Sequence, residues 1–252
     1  MTISAKPSAY TVNTGATHCP DHLWLMDEAS GTTLTDKGKT GGLNLTITGA
    51  DWTTDATHGP VLDFVLANTD YAETSSVSGL MGTQTFAIVV YASAGSVTRV
   101  LMNLCDSTQV DRYVQMAMLG DENFEVASRY DSTQVNNNAG TDLPQNVWSF
   151  AAVRFSDTTV DWSLDGSAWT AQAVSHSGLL AAIDRLTLGY RNTTAPGAPY
   201  DDPMCAAMWW KASKSDAEIS AIAADPWQFL DTSALTNQQP QFYRRPNTLL
   251  RM

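Results

Sequence analysis

The chain has 252 residues, 43% hydrophobic and 16% charged, with 26 acids against 14 bases for a net charge of −12. That length is enough for one large domain with a real core. So acidic a surface repels phosphate backbones and anionic membranes, which leaves no nucleic acid and no membrane among the expected partners.

Residues 1–20 are polar, contain Pro7, Gly15 and Pro20, and read as an extended N-terminal arm. From His22 onward the pattern is that of short strands. Leu23-Trp24-Leu25-Met26 is apolar and runs into the polar turn at Gly31-Thr32-Thr33. Further strands are predicted over 43–48, 61–65, 71–74, 85–91, 97–105, 110–118, 124–130, 147–155, 159–164, 185–189 and 204–211. Ser156-Asp157-Thr158 and Asp165-Gly166 are turn signals. Many short strands with closely spaced turns predict an all-β antiparallel sandwich or jelly roll. Trp148 and Trp162 are expected between its two sheets. The single predicted helix spans 215–224: Ser215 with Glu218 forms a capping box, Ile219 and Ile222 give an inward face, and Pro226 ends it. The body is thus read as 21–230, followed by a C-terminal arm, 231–252, rich in Asn, Gln and Pro.

Several of these segments, taken in order, resemble laminin-G-like, concanavalin-A-like lectin–glucanase domains of the kind found in bacteriophage structural proteins. They are Leu23 to Glu28 with Gly31-Thr32-Thr33, then Leu62-Asp63-Phe64 with Asp70-Tyr71, Val147 to Val153, Trp162 to Gly166, and the capped helix closed by Asp225-Pro226-Trp227. The resemblance covers about residues 22–230 and implies a jelly roll that binds or assembles. Loops that hold calcium in some relatives are altered here, with Val65-Leu66 and Tyr200-Asp201-Asp202-Pro203 in the corresponding places.

The glucanase branch of that superfamily needs acids spaced along one strand face. Here Asp27-Glu28, Asp121-Glu122 and Asp201-Asp202 are adjacent, and neighbours on a strand point to opposite faces. No catalytic residue is assigned, and the chain is read as a non-enzyme. For a metal, Asp63, Asn68 and Asp70 in one loop and Asp201 and Asp202 in another offer hard oxygen ligands suited to calcium, although Asx turns are the commoner use of such residues. No other cofactor is expected. Cys19, Cys105 and Cys205 form no CxxC pair and read as free, buried thiols. For a glycan, the loop aromatics Trp52, Trp169, Tyr190 and Tyr200 could stack on a sugar ring, though such rings more often pack beneath a loop or against a partner.

The last constellation is the C-terminal arm, where Phe242, Tyr243, Leu249 and Leu250 supply apolar contacts and Arg244, Arg245 and Arg251 lack neighbouring acids. These residues are assigned to assembly, with a homo-oligomer or other virion proteins such as a major capsid or tail protein as partners. The leading expectation is a non-enzymatic bacteriophage virion protein, a capsid-decoration, head-fibre or tail-associated subunit. It would be made in the host cytoplasm, since no signal peptide is visible, with a cell-surface glycan as a further candidate partner. The alternative is a bacterial carbohydrate-binding or adhesion module; a divergent glycan hydrolase ranks third.

Overall fold

The computed structural model describes residues 3–191 and 197–233. In chain order its strands are β1 (Thr11–Val12), β2 (His22–Trp24), β3 (Thr33–Leu34), β4 (Leu45–Thr48), β5 (Asp51–Asp55), β6 (Gly59–Asp63), β7 (Tyr71–Thr74), β8 (Gln84–Tyr91), β9 (Arg99–Cys105), β10 (Arg112–Met118), β11 (Asn123–Tyr130), β12 (Thr133–Asp142), β13 (Trp148–Phe155), β14 (Val160–Leu164), β15 (Arg185–Leu188), β16 (Pro203–Trp210) and β17 (Leu230–Asp231). The helices are α1 (Leu179–Ala182) and α2 (Asp216–Ala224). The strands form an eight-stranded front sheet, ordered β12-β11-β10-β9-β15-β7-β4-β3, and a seven-stranded back sheet, β14-β13-β8-β16-β6-β5 with β2 beside β16. The pairings within both sheets are antiparallel. The fold is the all-β antiparallel sandwich that the alternation predicts.

The two sheets enclose one core. Met102, Leu104, Val114, Met116, Val126, Leu186 and Leu188 of the front sheet meet Phe86, Ile88, Val90, Val153, Ala207 and Trp209 of the back sheet. Trp162 lies in this core as expected, and its Nε1 donates to Asn137 Oδ1. Trp148 does not. It packs on the opposite face of the back sheet, 4.7 Å from the His58 ring. Period-two alternation sets which residues share a face, but which face is inward depends on the partner sheet.

The back sheet is covered on both sides. Its outer face (Leu23, Leu25, Val61, Ala87, Val89, Phe150, Met208 and Trp210) packs beneath Ile219 and Ile222 of α2 and beneath Trp227 and Phe229. This explains why β8 and β16 read as nearly continuous apolar runs. The capping box forms as predicted: Ser215 Oγ accepts from Glu218 N, and Ser215 N donates to Glu218 Oε2. Gly166 lies close under α2, where a Cβ would meet Ala223 Cβ at 2.9 Å, so this turn admits no side chain.

The segment read as an N-terminal arm belongs to this layer over residues 3–20. Ile3 and Cys19 are buried in the outer cluster, Trp227 Nε1 donates to Ser4 O, and Lys6 Nζ donates to Leu25 O and Pro60 O. β1 pairs with β17, so the start of the expected C-terminal arm is also tied to the body. The assembly residues Phe242, Tyr243, Arg244, Arg245, Leu249, Leu250 and Arg251 lie outside the described residues.

Candidate functional site

Among the described residues the front sheet has no such apolar cover. Its strands alternate, with Val114, Met116 and Met118 inward and Tyr113, Gln115 and Ala117 outward. The register aligns one residue per strand into a row across the outer face: Asn136, Ala127, Gln115, Asn103, Thr187, Glu73, Thr46 and Thr33. Tyr113, Arg129, Cys105 and Arg185 flank this row on the same face.

The middle of the row is buried. Asn103 and Thr187 are fully buried and Gln115 is nearly so, beneath half-exposed Tyr71, Glu73, Arg129, Arg185 and Arg191. Both polar atoms of Asn103, together with Gln115 Oε1 and Thr187 Oγ1, have no hydrogen-bond partner. The Nε atoms of Arg185 and Arg191 above them are also unpartnered. A buried polar group left unpaired costs about 1–3 kcal/mol, and native proteins retain few of them without a reason. Three neighbouring strands place such groups side by side. This buried row, the trough, holds donors and acceptors that the sheet itself does not satisfy.

Burial raises the Glu125 carboxyl on this face above its ordinary value, helped by Asp121. Burial also raises the Tyr113 phenol, against the pull of Arg191 and of its hydrogen-bond partner Arg129. Burial pushes the Cys105 thiol up to about 12, which leaves it unreactive. Cys19 and Cys205 are likewise free, buried thiols with raised pKa values.

The four aromatics expected to form a sugar platform are scattered. Trp52 lies on β5, its Nε1 donating to Gly31 O. Trp169 sits beside α2, its Nε1 donating to Lys214 O and its ring 4.9 Å from the Arg154 guanidinium. Tyr190 stacks on Tyr71 at 5.9 Å. Tyr200 is part of the core between the two sheets, edge-on to Phe64, with its hydroxyl donating to Tyr91 O. Only the Tyr190–Tyr71 pair neighbours the trough.

Of the candidate calcium ligands, three hold neighbouring groups, while Asp70 Oδ1 is buried with no hydrogen-bond partner among the described residues. Asp70 Oδ2 accepts from Val65 N and Asp201 Oδ1 from Leu66 N, the loop-tying role that competes with metal binding for such residues. Asp202 takes Arg99 Nη1 and the N–H and hydroxyl of Ser93. Asn68 is exposed. Burial, and then Asp202, Asp201, Asp51 and Asp70, raise the Asp63 carboxyl above its ordinary value. Among the described residues no three His, Cys, Asp or Glu side chains group as a metal site.

No family model matches the chain, and no curated protein matches it in sequence. Among solved structures, domain 4 of AbnA, a GH43 extracellular arabinanase from Geobacillus stearothermophilus solved with arabinotriose, is similar at a TM-score of 0.63 and 12% identity, over 81% of this chain and 98% of that one. The receptor binding domain of botulinum neurotoxin D is similar at a TM-score of 0.58 and 10% identity, over 82% of this chain and 52% of that one. NanB sialidase from Streptococcus pneumoniae gives a TM-score of 0.52 at 18% identity over 63% of this chain, which spans 27% of NanB's length. At these identities the likeness is one of fold, and that fold is a lectin-like β-sandwich.

Proposed function

We propose that the chain is a non-catalytic carbohydrate-binding module whose ligand lies in the trough of the front sheet. The observation that carries this reading is the unpartnered row of Asn103, Gln115 and Thr187, since sugar hydroxyls both donate and accept. The arabinotriose in the AbnA domain is in keeping with it. The same site argues against glycan hydrolysis. Glu125 and Glu73 share the face but are four strand spacings apart, about 19 Å at ~4.8 Å each. Paired carboxylates in glycosidases stand about 5–10 Å apart.

This reading favours a bacterial carbohydrate-binding or adhesion module over a virion subunit with capsid or tail partners. The virion reading drew on two loose arms, and residues 3–20 are packed into the body. A glycan panel that includes arabino- and sialyl-oligosaccharides tests the proposal. At least one class should bind, and Asn103→Val should weaken it about tenfold, the loss of one or two hydrogen bonds. Binding undiminished by Asn103→Val would remove the trough from the account.

A further inference from the structure

A second constellation lies away from the trough, at the rim where the two sheets meet. His22 of β2 is buried between aromatic rings, 6.1 Å from the Trp24 ring centroid and 5.6 Å from that of Trp209. Its Nδ1 lies 2.6 Å from Asp36 Oδ2. Asp36 also accepts from Leu23 N, Gly38 N and Leu43 N, each at 3.0 Å. Burial alone would raise the Asp36 carboxyl, but His22 and these three backbone donors hold it below its ordinary value. Asp36 is thus an ionised, saturated anchor that fixes the ring orientation of His22.

His22 Nε2 makes no hydrogen bond among the described residues. His22 lines a cleft of about 210 Å³ shared with Gly41, Gly42, Ser76, Ser78 and Lys211. The N–H groups of Gly41 and Gly42 have no acceptor among the described residues. No acid lines the cleft, although the chain carries net charge −12. The nearest carboxylates are engaged: Asp36 by His22, and Asp21 by the backbone N–H of Lys211 at 2.7 Å and by Lys39 at 3.8 Å. Leu43, Val77 and Leu80 form an apolar wall. A cleft lined by donors, without acids, and with an oriented imidazole at its floor is built for negative charge.

We propose that this cleft is a second ligand site, which takes the oxyanion end of a small molecule, a carboxylate or a sulfate-type group, between His22 Nε2 and Lys211. The site is independent of the trough and stands or falls without it.

The test uses the full chain labelled with 15N and long-range proton–nitrogen spectra of the imidazoles. Sodium sulfate and, separately, sodium acetate are titrated against sodium chloride at equal ionic strength. A saturable shift of His22 Nε2 with sulfate or with acetate is expected and tells the two anion types apart. Lys211→Met, at an exposed position, should weaken binding about fivefold. His22→Gln should weaken binding about fivefold, read by calorimetry; should that variant not fold, the wild-type titration and Lys211→Met decide. A shift that is linear, matches that of chloride, or is unchanged by Lys211→Met overturns the proposal.

Discussion

The two outward faces of the sandwich are finished in opposite ways. The back sheet is sealed: α2, the segment from Ile3 to Cys19 and the Trp227–Phe229 stretch bury its outer face in a second apolar cluster. The front sheet has no such apolar layer among the described residues, and its central strands carry buried polar groups with no hydrogen-bond partner among them. A sealed face contributes stability through apolar burial. An open face with unpaired polar groups gives stability up, and a chain keeps such a face where a ligand uses it. The proposed site on the front sheet rests on that difference and on no motif.

Breaking the seal should have the largest effect. Trp227 is 3% exposed and donates to Ser4 O. Trp227→Ala should cost about 3–5 kcal/mol, read by chemical denaturation, while ligand affinity at the front sheet stays unchanged. Deleting residues 1–8 should cost about 2–4 kcal/mol, because Ile3 leaves the cluster and Ser4 leaves Trp227. An unchanged melting temperature would restore the reading of residues 1–20 as a loose arm.

A smaller effect concerns the helix that helps seal the back sheet. The backbone N–H of Ser215, and then Lys214 and the Ser215 hydroxyl, depress the Glu218 carboxyl to about 2. A depressed acid stabilises the fold above its unfolded pKa, about 4.3, and loses that contribution as pH falls through the folded value. Glu218→Gln should thus lower stability at neutral pH by less than about 1 kcal/mol, since the side chain is partly exposed. The gap between variant and wild type should close as pH falls from about 4.3 towards about 2. A gap that stays constant with pH would remove the capping carboxylate from the account.

The sequence showed the sandwich because strand alternation and turn residues are local signals. The central strands β7 to β11 and β13 to β16 lie within a few residues of their predicted places. Missed were β12, which is polar and Asn-rich, and β5, with its run of Asp and Thr, because neither carries apolar periodicity. The one-turn helix α1 is too short to show a period. The trough was not legible for a different reason. Gln115 and Asn103 each read as an ordinary outward residue on an alternating strand. Their meaning arises from register, which aligns them with Thr187, far away in sequence. A polar residue inside an otherwise apolar strand, such as Asn103 between Met102 and Leu104, was the available signal. The loop aromatics misled because Tyr200 follows a Pro-Gly-Ala-Pro stretch, which reads as exposed, yet its ring fills the core. The loop acids were ambiguous in sequence because binding a backbone N–H, as Asp70 and Asp201 do, and binding calcium call for the same residue types.

The most direct test of the central claim is Thr187→Val, which removes the unpartnered hydroxyl while keeping the side-chain shape. Melting temperature and affinity for the glycan found in the panel are measured on the same preparation. If the trough holds unsatisfied groups reserved for a ligand, the variant should be about 1 kcal/mol more stable, melting about 2–4 °C higher, and should bind about five- to tenfold more weakly. A variant that melts lower and binds as well as the wild type would contradict the account.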